Sequence, residues 1–364
     1  MGGYLRVQGG REMSDSYKKL LQKSKYNSES AKKELLARKH SYIDTKLKGI
    51  NGESIVFRYS NEVEEYKEYI DNEIFKVSNS LNVSESILLD AYSSATIEGA
   101  RTTVERVKNV INNPVTKDDK MVVNAIKVQR KVYEVGIHDN NIRNLWEILV
   151  SGVCENIDLA GFKYRSGQVY IGNNIRIVHT PEKSDKINSK MLDLFHFCTN
   201  FNDKLIGSCI LHFYFVYIHP FCDGNGRFAR LWANKLLYDK NSLFSRLVIS
   251  REINNSINEY YSTLLESEYG YNNMIDITPF IEYLLQCICS AIDYASAKRY
   301  IRLSNKESLV LSKLKNNMSG ATLKKLCSIC NISEGSMRGI LHKLEVNKFI
   351  LVDKSKKAYI YYIK

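Results

Sequence analysis

The stretch His219-Pro220-Phe221-Cys222-Asp223-Gly224-Asn225-Gly226-Arg227-Phe228-Ala229-Arg230 decides how the rest of the chain is read. Just before it, Leu205 to Ile218 is apolar almost all round (Ile206, Cys209, Ile210, Leu211, Phe213, Phe215, Val216, Ile218), the pattern of a helix central in its domain. A single histidine stands at the mouth of that helix. Two glycines then flank Asn225, and a new helix is expected to begin there. Glycine lets the backbone turn sharply and brings amide N–H groups close to a ligand. N–H groups at a helix N-terminus form an anion site. Arg227 and Arg230 lie three residues apart, so they share one helix face and can hold phosphates. Asp223 is a hard oxygen ligand beside them, suited to Mg²⁺. His219 is a candidate general base, although a lone histidine on an apolar helix is most often a satisfied core residue. A base, a metal ligand, a phosphate cradle and two arginines in so short a segment point to phosphoryl or nucleotidyl transfer.

The segment resembles the motif of the Fic family, His-x-Phe-x-(Asp or Glu)-Gly-Asn-Gly-Arg-x-x-Arg, at every defined position. The resemblance implies a protein adenylyltransferase, or AMPylator, with ATP as substrate and Mg²⁺ as cofactor. It moves AMP onto a Ser, Thr or Tyr hydroxyl of a target protein, with self-modification a further outcome. His219 would take the proton of that hydroxyl, and Phe221 would anchor the loop. Asp223 would hold Mg²⁺ between the α- and β-phosphates. Gly224, Asn225 and Gly226 would cradle the phosphates, with Asn225 near the α-phosphate. Arg227 would meet the β-phosphate and Arg230 the γ-phosphate. The intact loop argues against relatives with a degenerate loop that transfer phosphate or phosphocholine.

Far upstream, Ser93-Ser94-Ala95-Thr96-Ile97-Glu98-Gly99 resembles the family's inhibitory motif, (Ser or Thr)-x-x-x-Glu-(Gly or Asn). The resemblance implies autoinhibition, in which Ser94, Glu98 and Gly99 form an N-terminal brake and Glu98 pairs with Arg230, keeping it from the γ-phosphate. The competing reading makes Glu98 a surface carboxylate at a helix end. Some relatives with this brake also remove AMP from their targets, using the glutamate to orient a water.

Val169-Tyr170-Ile171, Gly172-Asn173-Asn174 and Ile175-Arg176-Ile177-Val178 read as two short strands around a polar turn. This falls where the family carries its flap, so Val169, Tyr170, Ile171 and Gly172 are expected to dock an extended target segment along a strand edge. His179 stands where an apolar or aromatic residue is the more usual occupant. The last sixty residues read as three helices and a hairpin. Ser333 is the N-cap candidate of the third helix, and the order resembles a winged helix-turn-helix. Arg338, His342 and Lys343, with Lys354, Lys356 and Lys357 at the hairpin tip, offer a phosphate footprint. DNA binding competes there with homodimer formation or target recruitment.

The expected fold is mainly α: a Fic-type helical bundle with a β-hairpin flap and a small C-terminal winged helix. The divisions are residues 1–60 as a helical, partly disordered extension and 61–125 as the helical region with the brake. The catalytic core follows over 126–303 and the winged helix over 305–364. Helix starts are expected at Ser84, as a cap, and near Thr278-Pro279. The chain has 364 residues, 44% hydrophobic and 25% charged, ordinary for a globular protein. Its net charge is +12, and from Asn305 onward twelve Lys and Arg stand against four Asp and Glu. No apolar run is long enough to span a bilayer, and Met1 to Arg6 lacks a signal-peptide core, so a cytoplasmic protein without membrane contact is expected. The eight cysteines (Cys154, Cys198, Cys209, Cys222, Cys287, Cys289, Cys327 and Cys330) lie scattered in apolar segments. They read as buried thiols, with Cys327-x-x-Cys330 lacking a second ligand pair. A de-AMPylating hydrolase and a DNA-binding regulator with a vestigial site are the rival functions.

Overall fold

The computed structural model describes residues 41–79, 82–154, 163–172, 177–271, 273–297, 305–315, 320–346, 349–355 and 358–363. The extension up to residue 40, the flap residues 173–176 and the lysines Lys356 and Lys357 lie outside them. The chain forms two compact units, residues Met1–Arg299 and Tyr300–Lys364, each with its own apolar core.

Among the described residues the first unit begins with strands in the part of the expected helical extension that follows residue 40: β1 (Ile43–Lys48) and β2 (Ser54–Phe57) form an antiparallel hairpin. Its apolar residues carry it, because Leu47, Ile55, Val56 and Phe57 are buried and Thr45 Oγ1 donates to Ile55 O at 2.8 Å. Four helices follow, α1 (Asn61–Glu73), α2 (Val83–Ile97), α3 (Val104–Val110) and α4 (Lys117–Val135). The cap of α2 is Asn82, not Ser84: its side chain accepts from Glu85 N at 2.9 Å. At α4 the Thr116 and Asp119 side chains make a reciprocal capping box.

Next come α5 (Ile142–Val150), the flap strands β3 (Ile171–Gly172) and β4 (Ile177–His179), α6 (Ser184–Asn200), α7 (Lys204–Ile218) and α8 (Asn225–Lys240). Nearly every residue of α7 is buried, as its all-round apolar sequence requires, and α8 packs along it. The unit continues with α9 (Ile249–Asn255), α10 (Ile257–Ser267), β5 (Gly270–Tyr271), β6 (Met274–Asp276) and α11 (Thr278–Ala297). β6 pairs in parallel with β2, Ser54 to Val56 opposite Met274 to Asp276, giving a four-stranded sheet in the order β1-β2-β6-β5. Sequence reasoning gave no hint of this sheet.

The second unit holds α12 (Asn305–Lys315), β7 (Ala321–Thr322), α13 (Leu323–Cys330), α14 (Glu334–Val346), β8 (Ile350–Asp353) and β9 (Ile360–Ile363). The three helices and the hairpin follow the expected order, and β7 adds a third strand in the order β7-β9-β8. Ser333 directly precedes α14, and its hydroxyl donates to Ser336 Oγ at 3.1 Å.

No helix of the described residues is long and apolar enough to cross a membrane. The thiols are not uniformly buried. Cys222, in the loop between α7 and α8, is exposed, and Cys154, Cys198, Cys289 and Cys327 are only partly covered.

Candidate active site

α7 cannot continue past Ile218, and its chain reverses at His219, which adopts a left-handed conformation (φ 52°, ψ 65°). That backbone is uncommon for a non-glycine residue and swings the imidazole out of the helix row. His219 Nδ1 lies 3.2 Å from Val216 O. A carbonyl only accepts, so Nδ1 carries the hydrogen and Nε2 keeps the lone pair. Burial lowers the His219 pKa to about 4 against the Val216 bond, with His179 and Arg165 adding to the depression. The ring is therefore neutral near pH 7, the state a general base needs.

Aromatic packing fixes the loop beyond His219. Phe221 is 1% exposed and stacks on Trp146 at 4.7 Å between centroids, with Tyr164, Phe215 and Phe228 around it. Trp146 Nε1 donates to Asp223 O at 2.8 Å. Asn225 is buried, and its side chain ties the loop both ways: Oδ1 accepts from Phe221 N at 3.0 Å, and Nδ2 donates to Phe221 O at 2.8 Å. It acts as a staple of the loop.

Gly224 (φ 81°) caps α8 in a left-handed turn, a backbone that a side chain would strain. A Cβ on Gly226 would collide with Glu98 Oε1, so the glycine gives a carboxylate direct access to the first turn of α8. Arg227 and Arg230, on that helix, are 1% and 3% exposed. Arg227 Nη2 reaches Asp223 Oδ1 at 3.2 Å, while its Nε and Nη1 are buried without partners. Arg230 Nη1 is likewise orphaned. Buried donors without acceptors are costly, and an anion at the head of α8 would satisfy them.

The upstream residues do meet the loop. Arg230 Nη2 donates to Glu98 Oε1 at 2.7 Å and to Ser94 O at 3.1 Å, and Arg230 Nε donates to Ser94 Oγ at 2.8 Å. Burial disfavours the Arg230 charge, but Glu98 and Tyr260 more than offset it, so its pKa is raised. Gly99 (φ 88°) ends α2, leaving Glu98 as the last residue before the turn. Asp90, one face of α2 lower, accepts from Ser250 N at 2.7 Å, Ser250 Oγ at 3.0 Å and Asn234 Nδ2 at 3.0 Å, binding α2 to α8 and α9.

In the flap, Ile171 pairs with His179 and Gly172 with Ile177. Among the described residues the first strand is Ile171–Gly172, so Val169 and Tyr170 precede it, and the second is Ile177–His179. Tyr170 and Ile177 are 62% and 59% exposed, apolar side chains open to a partner. Sequence reasoning passed over Arg165. Its Nε donates to His219 O at 2.8 Å, Nη1 to Gly167 O at 2.7 Å and Nη2 to Glu182 O. Its own N–H donates to Pro220 O at 3.0 Å. One buried guanidinium thus ties both roots of the flap to the His219 loop. Its partners are all backbone carbonyls, which leave no residue signature.

Asp223 is the oxygen ligand nearest this cradle. Its side chain is 42% exposed, and Oδ1 is oriented by Gly224 N at 2.5 Å, so it fits a magnesium ion. Among the described residues no cluster of three or more His, Cys, Asp or Glu forms a metal site.

Residues 137–237, which hold this whole loop, match the Fic/DOC family model. Two relatives named "Protein adenylyltransferase Fic" are similar to the chain. The one from Nematostella vectensis is 25% identical over 231 residues, 58% of this chain and 49% of the relative. The one from Aedes aegypti is 24% identical, over 57% of this chain and 42% of the relative. The chain therefore spans about half the length of the curated relatives it matches or less. A crystal structure of a Fic family protein from Desulfovibrio desulfuricans G20 superimposes with a TM-score of 0.64 at 22% identity, covering 84% of this chain and 97% of that one. Fic-1 from C. elegans gives 0.50 at 17% identity, over 65% and 72%. The fold is a mainly helical Fic fold.

Proposed function

We propose that the chain is a protein adenylyltransferase that transfers AMP from ATP to a hydroxyl side chain of another protein and is restrained by Glu98. One observation carries this reading: a neutral, Nδ1-protonated His219 stands beside a helix head whose two buried arginines hold donors without acceptors. Those donors suit a triphosphate, and the free Nε2 suits an incoming alcohol. The names of the similar proteins support the same activity.

In this mechanism the flap holds the target segment along β3, with Tyr170 and Ile171 against it. His219 Nε2 takes the hydroxyl proton as the oxygen attacks the α-phosphorus in line, and pyrophosphate leaves. The α8 N–H groups, Arg227 and Arg230 orient the phosphates and balance their charge. Trp146, Phe221 and Asn225 keep the loop in shape. Asp223 would hold Mg²⁺, which when bound neutralises phosphate charge. Glu98 lies at the same helix head and on the same guanidinium that a γ-phosphate would use, so it competes with productive ATP.

Incubating the Glu98→Gly protein with labelled ATP and a cell lysate, followed by mass spectrometry of labelled proteins, tests the proposal. Labelling that requires His219 supports it; no label and no ATP binding refutes it. A second reading, removal of AMP with Glu98 orienting a water, is favoured by the partial exposure of Glu98 at the cradle. Release of AMP from a modified protein, lost in Glu98→Gly, marks that activity.

The second unit, read as a winged helix, is better suited to a protein partner than to DNA. Arg338, Lys343 and Lys354 are already paired with Glu334, Glu307 and Glu345 at 2.6, 2.8 and 2.7 Å. Three of the five lysines and arginines in its phosphate footprint are thus compensated within the unit.

A further inference from the structure

Two of the thiols meet at the His219 loop. Cys222 lies between Phe221 and Asp223 and is exposed, and Cys154 lies past the end of α5 and is partly covered. The backbone brings them to one seam. Trp146 of α5 donates to Asp223 O at 2.8 Å, and a Cβ on Gly224 would stand 3.0 Å from Val150 Cγ1 and 3.6 Å from Leu149 Cδ2. The last turn of α5 therefore lies directly against the loop, next to Cys222 along the chain. Cys154 folds back on that turn, because its N–H donates to Val150 O at 3.1 Å. Asn124 holds the same turn from α4, donating to Leu149 O at 3.3 Å and to Ser151 O at 2.9 Å. After burial, the group that most affects the Cys222 thiol is Cys154, through its charge and through a side-chain hydrogen bond. A hydrogen bond between two thiols is a sulfur–sulfur contact, and neither cysteine is in a disulfide.

The remaining thiols are placed differently. Cys209 and Cys287 are 1% and 4% exposed, closed to a dissolved oxidant. Cys327 and Cys330 lie on α13 in the second unit. Cys222 is open to solvent with a second sulfur behind it, the arrangement of an attacking and a resolving thiol.

We propose that Cys154 and Cys222 form a reversible disulfide that ties the His219 loop to the end of α5 and lowers AMP transfer, with a low-molecular-weight disulfide such as oxidised glutathione as the oxidant. The Cys222 sulfur attacks the small disulfide, whose S–S bond breaks, and one small thiol leaves. The Cys154 sulfur then attacks the mixed disulfide at Cys222, the Cys154–Cys222 bond forms, and the second small thiol leaves. The two cysteines lose two electrons and two protons, and the small disulfide takes up both as two thiols. Only the effect on transfer rests on the proposed function. A disulfide needs its sulfurs about 2 Å apart, so bond formation draws Cys222 toward Cys154. Asp223 is the next residue, and its carboxylate is set by Gly224 N at 2.5 Å and by Arg227 Nη2 at 3.2 Å. A shift of about 1 Å in such a group is enough to slow a reaction by tenfold or more.

The reduced full chain is incubated with oxidised glutathione under native conditions, alkylated, digested and mapped by mass spectrometry without reduction. The peptides holding Cys154 and Cys222 should be recovered as one linked species, two hydrogens lighter than their sum. Glutathione on Cys222 with no link, or a link from Cys222 to any other cysteine, overturns the proposal. The bridge also closes a long segment of chain, so the oxidised protein should melt several degrees higher. In the Glu98→Gly background, transfer should fall about tenfold on oxidation and return with dithiothreitol. Cys154→Ser in that background should keep the reduced rate and lose the response. An oxidised Cys154→Ser protein that slows as much as its parent, or a bridge that leaves transfer unchanged, refutes the switch. A mapped bridge with no transfer in either redox state sinks the transferase reading and leaves the disulfide site standing.

Discussion

Replacing Glu98 by glycine removes one oxygen from a single guanidinium. Glu98 Oε1 and Arg230 Nη2 are 2.7 Å apart, with the arginine 3% and the glutamate 33% exposed at the side chain. A hydrogen bond between charged groups is worth about 1.5–3 kcal/mol net, and the open side of Glu98 argues for the middle of that range, about 2 kcal/mol. If Glu98 must leave Arg230 before ATP can sit productively, that energy is the bias against the active state. Its removal should raise the initial rate of AMP incorporation about thirtyfold, since each 1.4 kcal/mol is a factor of ten. The substitution also leaves Arg230 buried without its carboxylate, a loss of about 3 kcal/mol in buried pairs. The variant should therefore melt several degrees lower without nucleotide and recover when ATP is added. Transfer from α-labelled ATP into lysate proteins, run beside thermal melts with and without ATP, measures both effects. A folded variant that labels within about twofold of the parent, and whose melting temperature ignores ATP, would refute the argument that Glu98 occupies the phosphate seat.

His219→Ala in the Glu98→Gly background should abolish transfer while leaving ATP affinity, measured by calorimetry, nearly unchanged. Because His219 titrates at about 4, kcat/KM should stay flat from neutral pH downward and fall only as that value is approached. Burial holds His219 at about 4 and, with Arg230 adding to it, His212 at about 3, both below the ordinary 6.5. Between those values and 6.5 the unfolded chain binds more protons than the folded one. Stability should therefore rise with pH through that window and be lost as pH falls below about 6.5, by up to about two protons in the linkage slope of acid denaturation curves. Trp146→Phe removes the bond to Asp223 O and part of the stack on Phe221, and should lower kcat by about tenfold with a smaller change in the ATP Kd. The full chain should show no salt-dependent gel shift with duplex DNA at low ionic strength; a clear shift would restore the DNA reading.

The loop from His219 to Arg230 was legible because its chemistry is local: every group that defines it lies within a few turns of chain. The meeting of Arg230 with Ser94 and Glu98 was legible only through family resemblance, since no periodicity links residues more than a hundred positions apart. The hairpin at Ile43–Phe57 did carry an alternating pattern in Ile43, Thr45 and Leu47, but the Lys- and Glu-rich sequence before it spoke for helix. β6 is three residues long, too short for a period of two to show. Arg165 acts on carbonyl oxygens, which any residue supplies, so its partners have no signature. The resemblance placed Asn225 near the α-phosphate, and what it did not show is that both ends of the side chain meet the Phe221 backbone.

The parallel pairing of Ser54–Val56 with Met274–Asp276 brackets α7, the His219 loop and α8 within one long excursion of the chain. During synthesis this bracket cannot close until residue 276 has left the ribosome, and non-local parallel pairing is slow to form. Until then the nascent α7, apolar on every side, has only the β1–β2 hairpin to meet, where Tyr214 donates to Lys48 O and Tyr217 accepts from Ile50 N. The loop from His219 to Arg230 is therefore expected to mature late. A chain cut short before β6 should emerge as a chaperone client rather than as a smaller enzyme.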